Sequence, residues 1–345
     1  MNSRVIKCVA GAGKTYLSRE YLKAHGNGLY LAFTNSVIED ISCCGAISRT
    51  VDSLFISFLF PKIIAAIPLI ARGSDIEYIT TATSFNPIIK NIGKIHIDRT
   101  GAIYSGNREM PITLETPNEE LHRMTSFPNL MSLRAIFGKQ TTQLTDSLRD
   151  NLMAYIIYKY PEEILYFMST RFHYVIFDEA QDLGGSREEF AKLLYDSNIP
   201  TIFLGDDFQK IMPGSGNWFE GIEATESQLH SKRCPEDNCR WIRENLGIEI
   251  YGDSDKTGGV EHVHSENISP LDDGTKMLLY HARKGKLAGI IDNWTGPKST
   301  IGKIKGRTVD TDVIIVGESL NKRSYYVAIT RTTGKVFSMI KTIKA

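Results

Sequence analysis

The chain has 345 residues, 42% of them hydrophobic, with 40 Lys and Arg against 40 Asp and Glu. That length accommodates two domains of ordinary size, and the composition excludes a disordered or fibrous chain. A net charge of zero excludes a globally basic protein, so any nucleic-acid surface must be local.

The first residues already read as structure, which predicts no signal peptide. Arg4–Val9 is a short apolar strand and Tyr16–Ala24 has helical spacing, with a glycine-rich turn between them. Strand, loop and helix in this order form a phosphate-binding loop. The backbone of Gly11, Ala12, Gly13, Lys14 and Thr15 surrounds an anion, Lys14 neutralises terminal phosphates, and Thr15 ligates Mg²⁺. Cys8 stands where the usual pattern has its first glycine, at a position where a small residue can serve. The five cysteines, including the adjacent Cys43 and Cys44, suggest free thiols in a reducing compartment. The set His230, Cys234, Cys239, His262 and His264 matches no familiar zinc spacing.

The apolar segment Leu59–Ala71 is too short for a membrane span and is interrupted by Pro61, Lys62 and Pro68, so it is expected in the core. An intracellular, soluble protein is expected. About a hundred residues then precede the next motif, too many for a simple connection. They carry a second helical stretch, Leu148–Tyr160, and short β-like runs over 73–118, expected to be the least ordered part.

In "HYVIFDEAQDL", Tyr174–Phe177 is a continuous apolar run, as in a parallel strand buried on both faces. It ends in Asp178, placed to hold Mg²⁺, and Glu179, placed to take a proton from an attacking water. A further strand, Thr201–Leu204, leads into "GDDFQ". There Gln209 is the candidate to sense a terminal phosphate, while Asp206 either assists at the metal or caps the turn. Trp218 and Phe219 follow in a glycine-rich loop, and either stack on bases or pack beneath the loop as core. Lys276–Trp294 reads as strand then helix, and 281–307 holds seven basic residues against the single acid Asp292. That stretch is either a phosphate-tracking stripe or a solvated basic face.

With these motifs in place, the sequence resembles the superfamily 1 helicases and translocases, most closely their UvrD/Rep-like branch. Beyond the phosphate loop, "LAFTN" (Leu31–Asn35) looks like motif Ia, and "RTVDSLF" (Arg49–Phe55) like the next motif, with Asp52 replacing its histidine. "FDEAQD" and "GDDFQKI" resemble motifs II and III, "LHSKRCPE" motif IV with Arg233, and Thr300–Gly317 motif V, where Gly302 replaces a common histidine. "YVAITRTTGKV" resembles motif VI with Arg331. The resemblance implies an α/β fold of two RecA-like P-loop NTPase domains with parallel sheets and a small subdomain inserted in the first. The expected division is 1–222, with the insertion at about 60–165, and 223–345. ATP, with Mg²⁺, would lie between the domains, with Glu179, Gln209, Arg233 and Arg331 acting on it.

The resemblance further implies that single-stranded DNA or RNA is bound by Phe33, Thr34, Asn35, Thr50, Ser53 and Thr300, beside which Trp218 is the candidate read from its own loop. The implied activity is ATP-dependent translocation and unwinding by an ATP hydrolase, in a compact form common among virus-encoded helicases, with replication-complex proteins as partners. The alternative is an ATP-switched nucleic-acid-binding or movement-type protein that does not unwind.

Overall fold

The computed structural model describes residues 3–32, 38, 47–63, 67, 70, 75–78, 95–117, 120, 141–211, 214 and 216–344. Phe33, Thr34 and Asn35 lie outside them. Two parallel sheets organise the chain. From one edge, the first runs Glu226–Gln228, Ser3–Cys8, Thr201–Gly205, Tyr174–Phe177, Gly28–Ala32 and Ile47–Thr50. The second runs Val260–His262, Val336–Ser338, Val313–Val316, Met277–Tyr280 and Lys298–Thr300. The first sheet thus recruits a strand from beyond residue 222.

The strands are apolar on both faces because each face meets a different core. On the first sheet, Val5, Leu29, Leu31, Val175, Phe177 and Phe203 share one cluster with Ile95, Met110, Leu148 and Ile156. Their alternates Tyr30, Ile176, Ile202 and Leu204 share another with Leu279, Val313, Ile315 and Tyr325 of the second half. The far face of the second sheet places Leu278, Ile314 and Val316 against Ile291 and Trp294. Between residues 75 and 144 the chain forms two small sheets, one a parallel pair and one a three-stranded antiparallel meander. The expected second helical stretch is the helix Asp146–Lys159, capped by Thr145, whose hydroxyl accepts from Leu148 N.

Asp52 joins three of these segments. Its carboxylate accepts two hydrogen bonds from the Arg187 guanidinium, at 2.7 and 2.8 Å, and lies 3.0 Å from Arg149 Nη1. Arg149 belongs to the helix Asp146–Lys159, and Arg187 opens the helix Ser186–Tyr195. A histidine here would present no bidentate acceptor to Arg187. Asp52→Ala is expected to destabilise the fold by about 2 kcal/mol, less than a fully buried pair would cost. The check is the urea midpoint at unchanged slope; an unaltered midpoint would show that the two arginines are held elsewhere.

Candidate functional site

All the strands of the first sheet point their C-terminal ends to one edge, and each chain turn there delivers a polar group. After Ser3–Cys8 the turn takes Gly11 to φ 75° and Gly13 to φ 94°, and the helix Lys14–His25 begins immediately. Gly11 is required twice. Its φ lies in the left-handed region, and an added Cβ would stand 2.6 Å from both Arg233 Cβ and Ser231 Oγ. The missing side chain lets the strand His230–Pro235 lie on the loop, where Lys232 N–H donates to the Gly11 carbonyl at 2.9 Å. Cys8 is buried with its thiol 3.8 Å from the Ile6 carbonyl, and burial pushes its pKa up to about 12. It is a small core residue here rather than a reactive thiolate.

Past Tyr174–Phe177, Asp178 and Glu179 are adjacent carboxylates in different surroundings. Asp178 is buried and accepts from Tyr30 Oη at 2.5 Å and from Glu179 N at 2.8 Å. Burial, together with the Glu179 charge, pushes it up to about 6 against the pull of Lys14. Burial also opposes ionisation of Glu179, but Lys14, Lys305 and Arg331 outweigh it and hold Glu179 well below the usual range. Lys14 Nζ is 3.4 Å from Glu179 Oε2, and carboxylates on three sides hold the lysine protonated in spite of its burial. Glu179 adopts a left-handed backbone, φ 55° and ψ 42°, rare for a residue with a side chain. Gln181 braces it, donating to Glu179 Oε2 at 2.5 Å and accepting from Asp206 N at 3.0 Å.

Asp206 caps its turn, accepting from Phe208 N at 3.0 Å. Gln209 is buried, with both ends of its amide engaged. Nε2 donates to Asp206 Oδ2 at 2.9 Å, and Oε1 accepts from Arg331 Nη2 at 3.1 Å. Arg331 is buried, its Nε donating to the Val327 carbonyl at 3.1 Å. Burial and the neighbouring Arg233 charge lower it to about 10, so it remains a cation at neutral pH. Arg233 Nη1 donates to the Thr330 carbonyl at 3.3 Å.

Some of these groups meet in one cleft of about 410 Å³, while Asp178, Gln181 and Asp206 are buried and are not part of its lining. The loop Gly11–Thr15, Glu179 and Gln209 line its first-sheet side; Arg233 and Arg331 line the opposite side. Lys232, Lys256 and Thr308 line it too, and sequence reasoning missed all three. Lys232 had a signal in its neighbour Arg233; Lys256 lies outside every motif and reaches the cleft by donating to the Arg233 carbonyl at 3.3 Å. Among the described residues no cluster of three His, Cys, Asp or Glu side chains could enclose a metal. Thr15 and Asp178 are oxygen donors of the hard kind that magnesium takes when substrate phosphates complete its shell, and each Asp178 oxygen keeps a lone pair beyond its hydrogen bond.

The strand-contacting candidates are dispersed differently. Thr50 and Thr300 each end the edge strand of their sheet and cap a short helix, accepting from Ser53 N at 3.1 Å and Lys303 N at 3.3 Å. Trp218 packs edge-on to Tyr195 and Phe203, with ring centroids 5.6 and 5.2 Å away, and Phe219 is buried. Packing beneath the loop is therefore the reading that the contacts support for this pair. In the basic stretch Lys305 turns inward to grip Asp182, while Arg283, paired with Asp292, and Lys298, at a helix end, stay on the surface. Lys284, Lys303 and Arg307 are exposed.

Residues 113–213 match the family model of the UvrD/REP helicase N-terminal domain. No curated protein matches the chain. Among solved structures, the chain is similar to an arterivirus nonstructural protein 10 helicase at 15% identity and TM-score 0.46, covering 97% of this chain and 59% of that one. A complex of arterivirus nonstructural protein 10 with DNA aligns at 16% identity and TM-score 0.48, covering 98% and 61%. A PRRSV helicase aligns at 15% identity and TM-score 0.45, covering 98% and 52%. This chain thus spans less than two thirds of the length of those structures. Among the described residues no helix is long and apolar enough to cross a membrane. The matched segment carries "FDEAQD" and "GDDFQKI", so the likeness to the UvrD/REP helicase N-terminal domain lies in the part of the chain that forms the strands Tyr174–Phe177 and Thr201–Gly205.

Proposed function

We propose that the chain hydrolyses ATP in this cleft and uses the cycle to move along, and unwind, nucleic acid as a single-strand translocase and helicase. The observation that carries the reading is the meeting of a phosphate loop from one parallel sheet with two arginines from the other half across a single cavity. We take 1–222, with an insertion at about 60–165, as one RecA-like domain and 223–345 as the second.

The loop amides and Lys14 hold the triphosphate. Gln181 and the strained Glu179 backbone fix the carboxylate that takes the proton of the attacking water. Glu179 alone is too weak a base, being held low by the cations around it. Arrival of a polyanion offsets those cations and raises Glu179 toward the range where it accepts a proton. Arg331 and Arg233 place positive charge where the transferring phosphoryl group gathers negative charge. The Thr15 hydroxyl and the Asp178 carboxylate would hold a magnesium ion, which would supply further neutralisation of the phosphates. The arginines ride on the second domain, so cleft closure gates turnover and opening resets it. Thr50, Ser53 and Thr300, with Phe33, Thr34 and Asn35, are the proposed contacts to the single strand.

The deciding experiment is displacement of a labelled strand from DNA and RNA duplexes with single-stranded tails. ATP-dependent displacement by the wild type, lost in Lys14→Ala, is the expected result. Strand-stimulated hydrolysis without displacement would instead establish the ATP-switched binding protein.

Arg331→Lys removes the paired donors to Val327 and Gln209 and cannot grip phosphate bidentately. It should keep nucleotide affinity while losing strand-stimulated turnover on the order of a thousandfold. A variant with wild-type kcat would place Arg331 outside the reaction.

Protons and magnesium compete for Asp178, whose pKa is pushed up to about 6. The magnesium concentration giving half-maximal turnover should therefore be flat above pH 7 and rise roughly tenfold per unit below about pH 6. A requirement unchanged down to pH 5 would remove Asp178 from the metal.

A further inference from the structure

We propose that Tyr326 is a positioning residue for nucleotide turnover, its hydroxyl setting the orientation of the Gln209 amide from the other half of the chain. The proposal rests on the hydrolysis reading above and gives a role to the first residue of "YVAITRTTGKV", which that reading leaves without one.

Tyr326 lies on the helix Lys322–Ile329, five residues before Arg331, and is completely buried. Its hydroxyl does two things at once. It accepts the Ala10 N–H of the phosphate loop at 2.9 Å, and it donates to Asp206 Oδ2 at 2.9 Å. Its ring stands edge-on to Phe208, with centroids 5.8 Å apart. One side chain thus joins the loop, the Asp206 turn and the helix that leads to Arg331.

The consequence for Gln209 follows from donor and acceptor counting. An amide has one accepting end and one donating end, and Arg331 has only donors. If Gln209 is to accept from Arg331 through Oε1, as it does at 3.1 Å, its Nε2 must face an acceptor. That acceptor is Asp206 Oδ2, the oxygen Tyr326 also holds. Without the hydroxyl, Asp206 keeps only its links to Gln209 and to the turn, and Ala10 N–H loses its partner within the loop. The amide can then rotate, which would aim its NH₂ at the guanidinium and push the two donors apart. Gln209 and Arg331 both line the cleft, so misorientation of the pair affects the reaction rather than the binding of phosphates by the loop.

Tyr326→Phe keeps the ring and its packing and deletes only the hydroxyl. It is compared with the wild type, Gln209→Ala and the double variant, all at a temperature where circular dichroism shows every protein folded. ATP turnover stimulated by a poly(dT) or poly(U) strand gives kcat and KM, and ADP affinity is measured separately. Expected for Tyr326→Phe is a fall in kcat of about tenfold, the effect of one lost hydrogen bond, with ADP affinity within about twofold of the wild type. The double variant should turn over no more slowly than Gln209→Ala alone, because both changes act through one amide. Wild-type kcat in Tyr326→Phe, or losses that multiply in the double variant, would overturn the proposal while leaving the hydrolysis reading intact. A wild-type protein that does not hydrolyse ATP would overturn both.

Discussion

The cleft depends on one close approach. Lys232 donates its backbone N–H to the carbonyl of Gly11, and the strand His230–Pro235 lies directly on the phosphate loop because Gly11 has no Cβ. A side chain at residue 11 would clash with the Arg233 Cβ and the Ser231 hydroxyl, and its backbone would also be strained. The glycine that shapes the loop for an anion is therefore also the one that lets the second half bring Arg233 to it. Loop geometry and the joining of the two halves share a single residue, and neither can change without the other.

Around that contact, burial and charge sort the titratable groups by role. Asp178 and Glu179 are neighbours in sequence, yet they are driven in opposite directions. Asp178 sits under Tyr30 with its charge disfavoured, and Glu179 faces Lys14, Lys305 and Arg331. Two carboxylates held apart in this way can serve different tasks at the same pH. The left-handed backbone at Glu179 is the local strain that turns the second carboxylate into the cleft while the first stays beneath.

The sequence exposed what is local and hid what is assembled. A loop between a strand and a helix, or acids at the end of an apolar run, can be read directly because the chemistry and the element that positions it are contiguous. The strands Ser3–Cys8, Tyr174–Phe177 and Thr201–Gly205 follow their apolar runs closely for the same reason. Tyr30 hid in plain view as a hydroxyl in an all-buried strand, its partner Asp178 lying on the neighbouring strand. Lys256 and Tyr326 had no motif chemistry of their own, and their place in the site exists only once the two sheets meet. Trp218 carried an equal claim to base stacking and to core, and its contacts with the rings of Tyr195 and Phe203 exist only through the tertiary fold. The seven basic residues of 281–307 read as one stripe in sequence, yet Lys305 turns inward across the halves to Asp182.

That inward lysine shows why joining the halves has energetic consequences. Lys305 donates to both Asp182 oxygens and to the Gln209 carbonyl at 2.6 Å, and both partners of the pair are nearly buried. Burial pushes Asp182 up to about 6 even beside the ammonium, so its charge is held at a desolvation cost that the Lys305 and Lys14 charges offset only in part. Drawing the halves apart would leave Asp182, Gln209, Arg331 and Tyr326 without their cross-partners unless water entered at once. Near the rim, by contrast, the Arg323–Glu220 pair is exposed and can exchange with water at little cost. The interface thus has a weakly held edge and a strongly held centre, and the centre is built from the residues that line or brace the cleft. A ligand that adds charge in that centre acts on the contacts holding the two halves together. In the proposed cycle this would be the physical link between hydrolysis in the cleft and movement of the two halves about it.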